Sequence, residues 1–387
     1  MTFLHIINQL TKDEYKISSI VKYTIILWSS IFFCIISFIG GIETEISKRI
    51  TSVNGNYRII DKTSKVYDQA HPIDYSSIKD IENESYIKKT EKYISVPILL
   101  SNKNCSEGII FKGIENHLDN KFIISKTNYK DYNDIVISRC LANKLNVKLD
   151  DKIKGITINN RIRNFRVVAI YETEIDDIDN NIVYGSIKLA SKLKELKENE
   201  IDGLILFIKD DQDIPLKAIR RWLYDKNLYD YKVIDVKDEF LSIFDWVLII
   251  KQNISIYLII LLMVIITNII SITIIILLRS KQKIIILKQI GMKSSMIRNI
   301  FTLKIIKDIV KYMIYGNIIG TIICSVQKYF KLIKINSNDY YLSVVPIQFD
   351  IIRIFCINLI IVFSFVFVIL ITSRIIENNK IIRYEQY

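Results

Sequence analysis

Histidine, cysteine and proline are scarce in this chain of 387 residues, which contains three histidines, five cysteines and four prolines. The histidines His5, His71 and His117 lie far apart and form no metal-binding spacing such as HExxH. A sparse, odd set of cysteines argues against a disulfide framework. Ile114 stands where a phosphate-binding loop starting at Gly108 would require lysine. We therefore expect no metal, no cofactor and no enzymatic activity in this polypeptide.

Apolar residues are abundant instead. Half of the chain is hydrophobic, and the mean hydropathy is +0.25 despite 24% charged residues. Such a composition excludes a disordered protein and indicates a part embedded in lipid. Four charge-poor stretches are long enough to span about 30 Å of hydrocarbon: 23–40, 246–278, 305–326 and 351–372. The first is long for a cleaved signal sequence and ends in Gly-Gly-Ile-Glu, so we predict an uncleaved anchor.

The distribution of charge predicts the orientation of these spans. Residues 41–245 carry about 33 basic and about 34 acidic side chains, so the net charge of +12 falls on the shorter segments. Residues 279–304 contain no carboxylate and many basic side chains, and short basic loops stay in the cytoplasm. We predict that 1–22, 279–304 and 373–387 are cytoplasmic, whereas 41–245 and 327–350 are extracytoplasmic. This topology explains the positive charge without nucleic acid as a partner.

The segment 41–245 has the pattern of an α+β domain. Alternating apolar residues predict strands at 57–61, 93–100, 108–114, 165–171, 181–187 and 204–209. Helical spacing predicts helices at 138–145, with Ser138 as the N-cap, and at 214–224. Residues 43–50 and 238–250 look like helical continuations of the first two spans. The predicted fold is thus a membrane protein with four transmembrane α-helices in a 1+3 arrangement and a large extracytoplasmic α+β domain.

Two features of this domain leave alternatives open. An acidic cluster could bind a hard cation, although a solvated loop explains it more simply; it comprises Glu172, Glu174, Asp176, Asp177 and Asp179. Cys105 and Cys140 could form a disulfide or remain two free thiols.

The segment 281–301, KQKIIILKQIGMKSSMIRNIF, has the clearest functional pattern. Ile284, Leu287 and Ile290 recur at helical spacing, Gly291 breaks the helix, and a second helix begins near Ser294. One interpretation is a basic amphipathic helix that lies on anionic membrane lipid. The other is a helix that docks into a groove of a partner protein.

The stretch KIIILKQIGMKSSMIRNIF resembles the coupling segment of permeases in the lipoprotein-releasing and macrolide-exporter group of ABC transporters. Other stretches agree: VISRCLANKLNVKLDDKI at 136–153, YYLSVVPIQFD at 340–350 and IIRYE at 381–385. The loop at 340–350 is most similar to the LolC/LolE branch of this group. The usual acidic residue of the coupling segment is missing at Gln282–Lys283, and residues 41–90 match nothing in the family.

The resemblance implies a permease of the bacterial inner membrane that works with a separate ABC ATPase. The segment that contacts the ATPase would include Lys283, Ile284, Leu287, Lys288, Ile290, Gly291 and Met292. The implied activity is extraction of lipoprotein cargo from the membrane and its transfer to a periplasmic carrier. This chain would act together with a second permease, either another copy of itself or a paralogue. A tripartite efflux permease like MacB and a regulator of a periplasmic hydrolase like FtsX are the alternatives.

The third span also contains a GxxxG pattern at Gly316 and Gly320. Such a pattern lets two helices approach closely. The neighbouring helix could belong to a second permease subunit or to the same chain.

Overall fold

The computed structural model describes residues 19–64, 70–102, 105–115, 122–127, 133–157, 161–209, 216–279, 281–336 and 341–378. The predicted cytoplasmic segment at 1–22 falls largely outside these residues, and so does the family-like ending at 381–385. The chain divides into two compact units. The helical unit comprises Met1–Thr44, Trp246–Lys334 and Val344–Tyr387, and the outer unit comprises Glu45–Asp245 and Ile335–Ser343.

The elements follow one another along the chain as one long helix, a β-rich region and further long helices. The helices are α1 (Ser19–Asn54), α2 (Tyr75–Ile78), α3 (Arg139–Lys144), α4 (Asp176–Asp179), α5 (Ile187–Lys194), α6 (Leu216–Asp225), α7 (Val236–Glu239), α8 (Leu241–Arg279), α9 (Lys281–Gln289), α10 (Ser294–Phe330) and α11 (Ile351–Asn378). The strands are β1 (Tyr57–Asp61), β2 (Ile73–Asp74), β3 (Ile87–Asn102), β4 (Cys105–Ile114), β5 (Ile123–Lys126), β6 (Asp134–Ser138), β7 (Lys152–Thr157), β8 (Ile162–Tyr171), β9 (Ile182–Ser186), β10 (Glu200–Ile201), β11 (Gly203–Ile208) and β12 (Tyr231–Asp235).

Four helices are long and apolar enough to cross a membrane, over Lys22–Asn54, Leu241–Ile275, Ile305–Phe330 and Ile351–Val368. Each satisfies its backbone hydrogen bonds internally, which is what a segment in hydrocarbon requires. Within the helical unit α1, α8, α10 and α11 share one apolar core, which includes Phe32, Ile269, Met313 and Phe365. Other apolar side chains of these helices point outward, such as Phe363, which is 64% exposed. An outward apolar surface of this kind suits lipid as the surrounding solvent.

The outer unit contains a closed ring of strands. β3 pairs with β4, β4 with β9, β9 with β6, β6 with β8, β8 with β7, and β7 returns to β3. Ring closure leaves these strands no free edge along the paired length. Inward side chains fill the ring, including Ile98, Phe111, Phe165 and Val183, and α3 and α5 add further apolar residues to this core.

A second apolar core lies beside the ring. The strands β12, β1 and β11 extend the sheet from the first half of β3. Residues of α6, including Ile219 and Leu223, pack against this extension together with Ile78 and Ile81. β3 is long enough to belong to both parts, because its first half pairs with β11 and its second half with β7.

The structure confirms the predicted strands, although β3 begins at Ile87, six residues before its predicted start. It also confirms Ser138 as an N-cap, because Ser138 Oγ accepts a hydrogen bond of 3.0 Å from the backbone N–H of Leu141. The helical continuation predicted for 43–50 is part of α1. The continuation predicted for 238–250 begins instead at Leu241, because Phe240 leaves helical geometry with φ −106° and ψ 39°.

The acidic loop is tied into the outer unit by hydrogen bonds. Asp179 is buried and accepts hydrogen bonds from the backbone N–H of Thr173 and of Glu174 and from the Thr173 hydroxyl. Glu174 in turn pairs with Arg49 at 2.5 Å and accepts a bond from the backbone N–H of Ser343. Within the part of the chain that the structure describes, no group of His, Cys, Asp and Glu could hold a metal ion.

A glycine in β4 sets a first prediction. A Cβ on Gly113 would overlap the Ala190 methyl group of α5 and lie 3.0 Å from Ile187 Cα. We expect Gly113→Ala to lower the free energy of unfolding of the outer unit by about 1–3 kcal/mol through overpacking. Gly108→Ala in the same strand is the matched control, since a Cβ there meets nothing within 4 Å. Thermal unfolding of the purified chain would measure both, and equal midpoints for the two variants would contradict the prediction.

The pH dependence of stability gives a second prediction. Burial raises the pKa of Asp179 to about 6, outweighing the hydrogen bonds from Thr173 and Glu174 that lower it. Because the folded state then holds this proton more tightly than the unfolded chain, the contribution is complete below the unfolded pKa of 3.8 and is lost as the pH rises through about 6. It amounts to at most about 3 kcal/mol, at about 1.4 kcal/mol per pKa unit.

The measurement is the pH dependence of the unfolding midpoint between these two values. Asp179→Asn should remove the part of the stability that falls with rising pH, and Asp177→Asn, an exposed residue of the same short helix, should leave that part in place. A wild-type profile identical to that of Asp179→Asn would show that this carboxyl group does not titrate as described.

Candidate functional site

The segment predicted to contact a partner folds as two helices joined by a tight turn. α9 ends at Gln289, and Gly291 adopts a left-handed conformation with φ +91°. The N–H of Met292 bonds to the carbonyl of Leu287 at 3.1 Å, and the N–H of Gly291 bonds to the carbonyl of Lys288 at 3.0 Å. This pair of bonds is a Schellman motif, in which a residue without a Cβ is favoured at the Gly291 position. The predicted helix break at Gly291 is confirmed.

The predicted contact residues do not share one face. Ile284 is buried against Ile297 of α10, and Leu287 and Met292 pack against the same pair. Leu287 and Met292 occupy the two positions whose apolar side chains often meet in a Schellman motif, and both pack against this pair. Ile290, at the same helical spacing as Ile284 and Leu287, is instead 74% exposed. The spacing alone therefore grouped side chains that the turn separates.

A surface of the segment carries exposed apolar side chains beside basic ones. Ile286, Ile290 and Met296 are exposed, and so are Lys288 and Lys293. Lys283 lies in α9, where the structure fixes its backbone position. Ile286 and Met296 were missing from the predicted contact residues. Their hydrophobicity was visible in the sequence, but only the turn geometry shows that they remain uncovered within the chain.

The GxxxG pattern of α10 packs against α1 of the same chain. A Cβ on Gly316 would lie 2.5 Å from the carbonyl oxygen of Ile26 and 2.6 Å from Ser29 Cβ. A Cβ on Gly320 would lie 2.8 Å from Phe33 Cβ. The two glycines thus allow close approach of α10 and α1, which is the intramolecular one of the two alternatives.

Polar side chains link the same helices. The Ser29 hydroxyl lies 3.1 Å from two acceptors, the Met313 carbonyl oxygen and Asn317 Oδ1. Asn317 Nδ2 donates to Asn358 Oδ1 of α11 at 3.2 Å. Polar groups in apolar surroundings are stabilised when they bond to one another, so this chain of contacts orients α1, α10 and α11.

The outer unit contains a buried cluster of charges that the sequence did not predict. Arg58 and Lys112 are both 0% exposed. Arg58 pairs with Glu239 Oε1 at 2.8 Å and donates to Asn54 Oδ1 at 2.6 Å, and Lys112 Nζ donates to the same oxygen at 3.0 Å. Burial and the neighbouring Arg58 guanidinium hold the pKa of Lys112 well below its usual range. Asn54 ends α1 and Glu239 ends α7, so the cluster fixes both helix ends to the sheet.

The two cysteines of the outer unit are free thiols in this structure. Cys105 is exposed, whereas Cys140 is partly buried and donates from Sγ to Asn180 Oδ1 at 2.9 Å. The disulfide alternative is therefore not the one adopted.

Comparison with known proteins gives relatives that match most of the chain, although no family model matches. The "Lipoprotein-releasing system transmembrane protein LolC" of Neisseria meningitidis serogroup B is 22% identical over 357 residues, which cover 82% of this chain and 81% of the relative. The protein of the same name from Buchnera aphidicola is 25% identical over 343 residues, which cover 83% of this chain and 82% of the relative.

Two solved structures match parts of the chain. The extracellular domain of the noncanonic ABC-type transporter YknZ from Gram-positive bacteria is 14% identical and covers 46% of this chain and all of that domain, with a TM-score of 0.34. The periplasmic region of MacB from Actinobacillus actinomycetemcomitans is 13% identical, covers 50% of this chain and 95% of that region, and has a TM-score of 0.35. Over about four fifths of its length the chain resembles the LolC/LolE-type transmembrane proteins of lipoprotein-releasing systems, a likeness that supports a permease of the ABC transporter class.

Proposed function

We propose that this chain is the permease subunit of an ABC transporter that extracts lipoproteins from the bacterial inner membrane and passes them to a periplasmic carrier. The observation that carries the proposal is the match to LolC proteins over four fifths of both chains. The four apolar helices and the large outer unit are consistent with it. The proposed topology is one span before the outer unit and three after it, with segment 279–304 in the cytoplasm.

In this proposal the energy comes from a separate ATPase that binds α9 and the following turn. The exposed Ile286, Ile290 and Met296 supply apolar area for that contact, and Lys288 and Lys293 supply positive charge. The pair Ile284 and Leu287 holds α9 against α10, so a push on α9 moves the third span with it. Gln282 and Lys283 stand where related permeases have an acidic residue, so this chain has no carboxylate there to pair with a basic group of the ATPase.

In the remaining steps, movement of the cytoplasmic segment must be transmitted to the outer unit on the other side of the membrane. Each acyl CH₂ that leaves the bilayer costs about 0.8 kcal/mol, so a lipid-anchored cargo needs an external energy source. α1 is a single helix of 36 residues, and its end at Asn54 is fixed to the sheet through Arg58 and Lys112. A shift of α1 along its axis would therefore displace the sheet as a body, in a change between two states. A second permease, either a copy or a paralogue, would complete the cavity for the cargo.

Two other functions share this architecture. An efflux permease like MacB would move a soluble substrate, and a regulator like FtsX would activate a hydrolase outside the membrane without transport. Release of acylated lipoprotein from proteoliposomes that contain this chain, its ATPase, ATP and a carrier separates the proposed function from these two. Release supports the proposal, and hydrolase stimulation without release supports the regulator.

The ATPase contact gives a third prediction. Ile290→Asp should abolish co-purification of the ATPase, because burial of an isoleucine contributes about 1.5–3 kcal/mol, or roughly a 10- to 100-fold change in affinity. The exposed position of Ile290 means that the variant should keep its fold. Ile124→Asp, at an exposed position of the outer unit, is the matched control. Normal co-purification with Ile290→Asp would refute docking at this turn.

The topology gives a fourth prediction. An impermeant thiol reagent applied to intact spheroplasts, in which the outer face of the inner membrane is accessible, should label the exposed Cys105 of the outer unit. In a Cys105→Ser, Cys140→Ser background, Ile290→Cys should react only after the membrane is permeabilised. Labelling of Ile290→Cys in intact spheroplasts would reverse the orientation.

A further inference from the structure

A groove of the outer unit has an apolar floor and an acidic rim. It encloses about 980 Å³, which is at the upper end of the range for ligand sites in proteins. The strands β3, β4 and β7 of the ring form its floor, and its walls come from the end of β12, from α7 and from the loop around Asn181. Glu239, which belongs to the buried charge cluster around Arg58, also lines this groove.

The floor consists of apolar side chains on the outside of the ring. Pro97 lies opposite Ile110 in the pairing of β3 with β4, and Leu99 lies opposite Ile156 in the pairing of β3 with β7. Side chains alternate between the two faces of a strand, and Ile98 and Leu100 point into the ring core. The outward positions of a ring in water are normally polar, whereas here four neighbouring ones are apolar. Leu99 is 42% exposed.

A glycine opens the middle of this floor. Gly108 lies opposite Leu99 in β4, and a Cβ built on Gly108 would meet nothing within 4 Å. No close packing in the described structure therefore requires glycine there. Glycine within a strand often marks a place where another backbone or a ligand approaches closely.

Carboxylates are the only ionisable side chains among the described residues that line the groove. The described residues that line the groove include three carboxylates, Asp177, Asp238 and Glu239, and no lysine, arginine or histidine. This is unusual in a chain with a net charge of +12. Asp177 and Asp238 are exposed.

Glu239 adds an independent observation. Its side chain is 8% exposed, and Oε1 pairs with Arg58. Oε2 is buried and accepts no hydrogen bond from the described residues. A buried acceptor without a donor is destabilising, and Glu239 is part of the lining of this groove.

We propose that this groove binds an extended segment of a partner polypeptide, with apolar side chains on the floor and a lysine or arginine at the acidic rim. The apolar floor matches alternate side chains of an extended chain, which project toward the same face. The carboxylates match a cationic side chain and disfavour an anionic one. A hydrocarbon chain alone would make no use of the charged rim. The inference goes beyond the proposed permease function and does not depend on the ATPase contact.

The test is binding of synthetic peptides to the full chain in phosphatidylcholine nanodiscs, followed by fluorescence anisotropy. The probe is a short peptide of alternating leucine and lysine, with leucine–glutamate and serine–lysine peptides for comparison and empty nanodiscs as background. We expect the leucine–lysine peptide to bind most tightly. Gly108→Trp, which fills the floor, should weaken it at least about tenfold, a change of about 1.4 kcal/mol.

Matched variants separate the groove from general effects. Ile124→Trp adds the same side chain at an exposed position outside the groove and should bind as the wild type does. The double variant Asp177→Lys, Asp238→Lys should prefer the leucine–glutamate peptide, whereas Glu198→Lys, at an exposed position elsewhere, should not change the preference.

Equal binding of the three peptides, or undiminished binding to Gly108→Trp, would overturn the proposal. All of these variants should still co-purify with the ATPase. Failure of the groove is therefore distinguishable from failure of the permease function, which Ile290→Asp and lipoprotein release test separately.

Discussion

Hydrocarbon offers no hydrogen-bond partner to a polypeptide, and this constraint governs the helical unit. Every backbone group must be satisfied within its own helix, so the four apolar segments have no alternative to helical structure. Association of these helices then depends on shape and on buried polar contacts rather than on exclusion of water. Gly316 and Gly320 allow α1 to pack closely against α10. The hydrogen bonds from Ser29 through Asn317 to Asn358 are the buried polar contacts.

Water imposes a different constraint on the outer unit, where burial of a charge is costly unless it is paired. Arg58 and Lys112 lie at 0% exposure at the place where α1 ends, and both bond to Asn54. Glu239 supplies the carboxylate, and the rings of Tyr93 and Tyr184 lie within cation–π distance of Lys112. Removal of one partner from such a cluster is expected to be far more destabilising than its net contribution suggests. The cluster thus fixes the ends of α1 and α7 to the sheet.

The proposed contact segment combines a fixed geometry with an uncovered surface. The Schellman turn at Gly291 and the packing of Ile284 on Ile297 determine the position of α9 relative to α10. Ile290 remains in solvent within this chain, which is unfavourable for an isolated protein and expected for a surface that a partner covers. The outer groove has the same character, since Leu99 and the open backbone at Gly108 are exposed beside carboxylates.

Local patterns determined much of this protein from the sequence alone. Long charge-poor apolar runs specify helices, and the alternation of apolar residues placed β1 and β4 within a few residues. Ser138 and Gly291 were identifiable as helix ends because their roles depend only on neighbouring residues. Tertiary structure decided what depends on distant pairing. This includes the closure of the ring, in which β3 changes partner from β11 to β7, and the burial of Arg58 and Lys112. It also decided that Ile290 is exposed while Leu287 is packed. The apolar residues recur at helical spacing, but the side chains of α10 cover Leu287 and do not cover Ile290 at the turn.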